Sequence, residues 1–326
     1  MKKILFAFLF GIIAVSCTNK EDVILNPTDS FYRQEMRQFI IDLSQYSKSV
    51  KPEFKIIPQN GIQLCTIDGE ITSVPSQNYL NAIDGISQEG LFYGYGNDDT
   101  ATPDTISTNF KSYLNISKNQ GKPILITDYC TTVANVSNSY FENDHSGYVS
   151  FSADQRFLTT IPTFPNPIFH QNNSVVNSLS NVKNFMLLLN FENFSSKADF
   201  INAITATNYD LVVLDLYFRN SLEFTISEIN QIRNKSNGGK RLVFSYVSIG
   251  EAEDYRYYWQ LNWNITPPSW LDAENPNWPG NYKVRYWEPE WQQIIYGNET
   301  SYMKKIINAG FDGVYLDLVD SFWFYE

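Results

Sequence analysis

Histidine is nearly missing from this chain: His145 and His170 are the only two in 326 residues. A metal centre of the usual imidazole-bearing kinds, or a Ser-His-Asp arrangement, needs better-placed rings than these two supply. Cysteine is scarce as well, with three in all. Cys65 and Cys130 have no metal-ligand spacing, and both a pair and two separate thiols fit them. Basic residues are outnumbered, 24 against 35, for a net charge of −11. Such a surface repels phosphate backbones, so nucleic acid is not an expected partner. Nor does a glycine-rich phosphate fingerprint open any helix, because Asn237-Gly-Gly-Lys240 precedes a strand instead. No cofactor is expected, and no metal.

Long apolar runs are also wanting. Residues 4–15 are apolar behind Lys2 and Lys3, but the run is too short to span a bilayer and reads as a secretory signal. Ala14-Val-Ser-Cys17 resembles the bacterial lipoprotein signal, in which the cysteine becomes the lipidated first residue. An ordinary cleaved signal is the other reading. On the first reading residues 1–16 are the signal, Cys17 is the lipidation site and residues 17–29 are a polar tether. The protein is then extracytoplasmic and membrane-anchored, on the outer membrane or cell surface, and a monomer.

What is present is a core and a rhythm. Hydrophobic content of 43% with 18% charged residues describes a globular domain. Short apolar strands are expected at 54–58, 82–87, 123–127, 147–152, 185–189, 210–216, 242–248 and 313–317. Helical spacing falls between or before them, at 30–50, 108–119, 133–142, 198–206, 226–234 and 303–308. Eight strands alternating with helices is the count of a closed (β/α)8 TIM barrel. An open doubly wound sheet, or two half-domains, is the alternative. The domain runs over 30–326, with halves 30–155 and 183–326. Between them lies a proline-rich connecting segment, 156–182.

Two features point to chemistry. Six of the seven tryptophans, Trp259, Trp263, Trp270, Trp278, Trp287 and Trp291, lie in the long stretch 249–298. In a barrel that stretch covers the catalytic face, and flat rings with polar edges suit sugars, although the same rings could simply pack a subdomain. Carboxylates collect at strand ends: Glu89, Asp128, Asp215, Glu251, Asp317 and Asp320. A single acid there is ordinarily a cap or an ion-pair partner. Several at one rim are what glycoside hydrolysis requires, one attacking or activating water and another protonating the leaving oxygen.

At these residues the sequence resembles a family. Tyr209-Asp-Leu-Val-Val-Leu-Asp215, Ser248-Ile-Gly-Glu-Ala-Glu-Asp-Tyr-Arg256, Asn277-Trp-Pro-Gly-Asn281 and Gly310-Phe-Asp-Gly-Val-Tyr-Leu-Asp-Leu-Val-Asp320 are similar to the endo-α-1,4-polygalactosaminidase-like glycoside hydrolases of family 114, which are TIM barrels. Phe54-Lys-Ile-Ile-Pro-Gln-Asn-Gly61 and Ala82-Ile-Asp-Gly-Ile-Ser-Gln-Glu-Gly-Leu-Phe-Tyr93 match too, but in the family they follow the Val-Asp motif, and here they precede it. The resemblance therefore implies a circular permutant opened after the family's fourth strand, with residues 321–326 beside residues 30–36. It implies a retaining mechanism on an α-linked, galactosamine-containing polysaccharide. On the matching positions Asp317 becomes the nucleophile and Glu89 the acid/base, with Glu251 in reserve. Asp215, Glu251, Asp320, Gln59, Asn60, Asp128, Tyr129, Tyr246, Arg256 and Trp287 are the expected substrate-binding or pKa-tuning neighbours. A carbohydrate-binding or protein-binding lipoprotein on the same scaffold, without turnover, is the rival reading.

Overall fold

The computed structural model describes residues 31–219 and 221–326; Cys17 and the signal and tether expected before residue 30 lie outside them. All eight expected strands form: β1 Lys55–Pro58, β2 Ile86–Glu89, β3 Ile124–Tyr129, β4 Val149–Ala153, β5 Phe185–Leu187, β6 Leu211–Leu214, β7 Leu242–Ser248 and β8 Gly313–Asp317. Parallel ladders join β5-β6-β7-β8-β1, and separately β2-β3-β4. A parallel bridge from Gln59 to Ser87 carries β1 on to β2. Between β4 and β5 there is no ladder among the described residues, and the contact there is a ring pair, Phe151 on Phe185 at 5.9 Å. The strands are apolar and almost wholly buried because helices cover their outer faces. This parallel α/β arrangement is compatible with a TIM-barrel-like fold.

The helices are α1 Phe31–Val50, α2 Gln77–Ala82, α3 Asp104–Asn119, α4 Val133–His145, α5 Lys197–Thr205, α6 Ile226–Ile232, α7 Pro289–Ile295 and α8 Tyr302–Ala309. Helix α1 buries Met36, Phe39, Ile40 and Leu43, the i, i+3, i+4, i+7 set of one face. Thr225 and Glu228 make a capping box that starts α6, and Gly310 ends α8 in the left-handed region at φ 94°. Two helices were not anticipated. Residue 82 ends α2 instead of beginning a strand, so β2 starts at Ile86. The Ala82 carbonyl accepts bonds from Ser44 and Lys48 of α1, which fixes that short helix in place. Helix α7 was hidden within the tryptophan-rich stretch.

Between β4 and β5 the chain descends the outer wall as an irregular strap, not a helix. At the strand tips the Leu158 carbonyl accepts from the Leu189 and Asn190 amides. At the opposite end Asn172 bonds to Asp210, whose carboxylate pairs with Lys235 at 2.7 Å; both side chains are fully buried. The prolines and asparagines of this segment forbid helix continuation but allow such backbone ties.

The stretch after β7 is a subdomain. Glu251–Glu253, Asn281–Val284 and Leu271–Glu274 form an antiparallel sheet. Behind it Trp259, Trp263, Trp270 and Trp291 pack in series, with ring centroids 5.0–5.2 Å apart. The Trp291 indole donates to the Ile249 carbonyl at 2.9 Å.

The polypeptide's two described ends meet. Arg33 pairs with Glu326 at 2.9 Å, and the Arg33 guanidinium lies 4.6 Å over the Trp323 ring. Tyr32 and Tyr325 are 5.5 Å apart. Residues 321–326 thus lie beside the start of α1, as expected.

Candidate active site

Pairing register decides which side chains face inward. The hydroxyl of Tyr315 in β8 meets the Ser87 hydroxyl of β2 at 2.6 Å, in the interior. Two residues further along each strand, on the same face, come Asp317 and Glu89. Both stand at the C-terminal strand ends, where ligands meet parallel sheets.

Asp317 is held from two sides. The Tyr246 hydroxyl donates to one of its oxygens at 2.8 Å. The amide of Leu318 donates to the other, also at 2.8 Å, and Leu318 takes a left-handed φ of 58° that turns the chain sharply after the acid. Burial, and then the charge of Glu89, pushes the Asp317 carboxyl up to about 8. Glu89 accepts from the Tyr129 hydroxyl and from the Asn60 amide, the latter at 3.3 Å. Burial and then Glu89 keep the Tyr129 phenol well above its ordinary pKa, so it remains a donor. Asn60, left-handed at φ 60°, turns its side-chain oxygen back to the Glu89 amide and to Gln88. Gln88 is therefore the anchor and Glu89 the inward acid.

Other acids join this pair. Asp320 is pushed up to about 6 by burial, with the charges of Glu89 and Glu251 adding to it. Burial also raises Glu251, whose side chain accepts from Asn275 at 2.8 Å. Gln59 is 4% exposed, and its amide oxygen has no donor among the described residues. A buried acceptor left open in this way marks a place for a water or a ligand donor.

Next to the pair lies a charged knot. Arg256 binds Asp215 at 2.6 Å and Glu253 at 2.5 Å, and the Tyr255 hydroxyl donates to Glu253 at 2.5 Å. Burial raises the Asp215 carboxyl, with the Arg256 charge opposing it. Glu253 and Tyr255 were not among the expected site residues. The alternation Glu251-Ala-Glu253 on a strand was the available sign, since it puts both acids on one face.

Two expected site residues lie elsewhere. Asp128 points outward from β3 and is fully buried against α4, accepting from Ser139, Asn143 and the Phe92 and Tyr93 amides. The inward residues of β3 are its neighbours: Thr127, which faces Tyr315, and Tyr129, which reaches Glu89. Trp287 packs on Tyr32, Tyr286 and Tyr325 where the two chain ends meet. It is a structural ring and no platform at the mouth. Of the serial tryptophans Trp263, Trp270 and Trp291 are buried and Trp259 is half-buried against them; among the six tryptophans of that stretch only Trp278 is exposed, at 41%. His170 pairs with Asp144 at the surface, and Cys65 and Cys130 are separate buried thiols. Among the described residues no group of three His, Cys, Asp or Glu is arranged to hold a metal ion.

The arrangement is a mouth of several carboxylates at parallel strand ends, two of them electrostatically linked, backed by tyrosine and amide donors. Comparison with known proteins points the same way. Residues 188–325 match the model of glycoside-hydrolase family GH114. An uncharacterized protein of Methanocaldococcus jannaschii is 41% identical over 155 residues, 44% of this chain and 43% of its own length. Uncharacterized proteins of Thermotoga maritima and Deinococcus radiodurans are 40% and 38% identical over 119 and 122 residues. Those matches cover 36% and 37% of this chain, and 35% and 37% of the relatives' lengths. The chain spans less than half of each of these relatives.

Proposed function

We propose that this protein is a glycoside hydrolase that cleaves an α-linked polysaccharide, with galactosamine-containing polymers the leading class, through Asp317 and Glu89. The observation that carries the reading is the convergence of these two acids on the inward face at the tips of β8 and β2, each with its own hydrogen-bond donors. The matched family segment, 188–325, contains Asp317 but not Glu89. The eight strands then form a closed, circularly permuted (β/α)8 barrel. Support for closure comes from the Gln59–Ser87 bridge and the Phe151–Phe185 contact, and support for permutation from the Arg33–Glu326 pair. Asp320, Glu251, Gln59, Asn60, Tyr129 and Tyr246 would bind substrate or tune the pair, with Asp215 and Arg256 holding the adjoining wall. Cys17 would carry a lipid anchor on an extracytoplasmic membrane face, and the chain would act as a monomer.

Two carboxyl groups about 5–5.5 Å apart act by a retaining route, with one attacking the anomeric carbon and the other first protonating the leaving oxygen. The family resemblance makes Asp317 the nucleophile. One observation favours the opposite assignment: Asp317 is the member pushed up to about 8, so it holds the proton at neutral pH, while Glu89 accepts hydrogen bonds from Tyr129 and Asn60. Azide rescue separates the two. The nucleophile variant yields a glycosyl azide of inverted configuration, and the acid/base variant one of retained configuration.

The decisive experiment incubates purified protein with a panel of α-linked amino-sugar polymers and follows new reducing ends. Hydrolysis by the wild type and its loss in Asp317→Asn support the enzyme. Binding by both, with no cleavage of any polymer, would leave the carbohydrate-binding rival standing.

A further inference from the structure

Arg156 belongs to no motif singled out in the sequence, yet it is built into the mouth. Its Nε donates to Asp98 at 2.7 Å, and an Nη donates to the Gly94 carbonyl. Its guanidinium carbon lies 4.2 Å over the ring of Tyr129, whose hydroxyl donates to Glu89. Three consecutive strands contribute here: the loop after β2 supplies Gly94 and Asp98, β3 ends on Tyr129, and the loop after β4 supplies Arg156.

The Tyr129 ring is fixed from a second direction too. Gly94 has φ 95°, and a Cβ there would come within 2.8 Å of the Tyr129 Cβ. Only glycine lets the backbone approach so closely in that conformation. The Tyr129 amide donates to the Tyr93 carbonyl, and its carbonyl accepts from the Asp99 amide at 2.9 Å. The ring thus lies in a slot with the Gly94 backbone beside it and the guanidinium over its face.

We propose that Arg156 is a positioning residue for Glu89, acting through Tyr129: it closes the slot that aims the phenol hydroxyl at the Glu89 carboxylate. The inference rests on the reading of Glu89 as one of the two reacting acids. A cation over the ring face is attractive, and its planar fork also ties down the loop over that ring. Without it the phenol can swing away, and Glu89 loses a donor that stabilises its charged form. The other groups facing Glu89 are Asn60, Tyr315 and Asp317 of β8, and Asp320 just beyond. The Glu89 charge helps to hold the proton on each of these two aspartates.

Two measurements test this. In protein carrying 13C at the glutamate side-chain carboxyls, with the Glu89 signal assigned through Glu89→Gln, the Glu89 transition in Arg156→Ala should move to higher pH than in wild type. Tyr129→Phe should move it in the same direction, and Arg156→Ala added to Tyr129→Phe should move it little further. Second, on a cleaved α-linked amino-sugar polymer, Arg156→Ala should lower kcat about tenfold with KM little changed. The limb of the pH profile governed by Glu89 should shift with it, and Arg156→Lys should recover part of the loss. An unmoved Glu89 signal, or additive effects of the two substitutions, would overturn the inference. A raised KM with an unchanged profile would overturn it as well, because Arg156 would then be touching substrate. Absence of hydrolysis by the wild type would count against the proposed enzyme alone, since the carboxyl titration reads Arg156 without substrate.

Discussion

Arg33 and Glu326, separated by 293 positions in sequence, form an ion pair at 2.9 Å with 5% and 8% of their side-chain surfaces exposed. The pair fastens the start of α1 to the turn that follows β8, where the chain would run on directly if its ends were joined elsewhere. Rings from both ends, Tyr32 and Tyr325, pack on each other and on Trp287.

Removing Glu326 takes away the acid that Arg33 pairs with at this junction. Glu326→Ala is expected to lower unfolding free energy by about 3 kcal/mol, near the lower bound for broken buried pairs. Urea titration followed by far-ultraviolet dichroism measures it. A change below the error of that titration would mean that the two ends are not fastened in solution.

The ends are close enough to be exchanged. A variant with Glu326 joined to Phe31 by a short flexible linker, and new ends opened within the strap at residues 160–168, should fold with the parent's circular dichroism spectrum. Its melting midpoint should fall by only a few degrees. An insoluble or molten product would count against a closed, permuted ring.

Asp317→Asn and Glu89→Gln should each reduce turnover of a cleaved polymer by about 10³-fold, within the range assigned to one positioned acid or base. Polymer binding measured by affinity electrophoresis should persist. Full activity in either variant would remove that residue from the chemistry.

The raised acids also set the pH dependence of stability. In the folded protein Asp317 keeps its proton up to about 8 and Asp320 up to about 6, whereas both lose it near 3.8 when unfolded. The folded state therefore binds more protons, and stability declines as pH rises from about 4 to about 8. Asp317→Asn removes the larger part of this dependence. At pH 8.5 it should melt about 5 °C higher than wild type, and at pH 4 at nearly the same temperature. Differential scanning calorimetry at the two pH values decides it, and equal shifts at both would contradict the assignment.

Arg256 neutralises two buried carboxylates at once. Arg256→Leu should cost about 4 kcal/mol at pH 7, because Asp215 and Glu253 are left facing each other, and less at pH 5, where one can take up a proton. Chemical denaturation at both pH values gives the comparison. A loss independent of pH would assign Arg256 a packing role instead.

Much of this architecture was legible in order of residues. Apolar runs of strand length parted by helical spacing located all eight strands, and β7 and β8 matched to the residue. The run to Asp317 marked an acid at a strand tip. Harder to read was the side of the strand on which an acid falls. Glu89 and Asp128 both stand at strand ends in apolar runs, and in a strand buried on both faces periodicity does not distinguish inside from outside. Pairing register sends Glu89 to the mouth and Asp128 to α4. Trp287 shared its composition signal with five other rings, but composition says nothing about which neighbours a ring meets.

By itself the sequence determined the alternation of strands and helices, the scarcity of imidazole and the concentration of carboxylates at strand tips, because these follow from local chemistry along the chain. Only the tertiary structure decided that Asp317 and Glu89 share one face, that Arg256 is flanked by two acids, and that Arg156 lies over Tyr129. Those relations join residues far apart in sequence. They arise from strand register and loop packing, where a displacement of one residue would turn the same side chains away from one another.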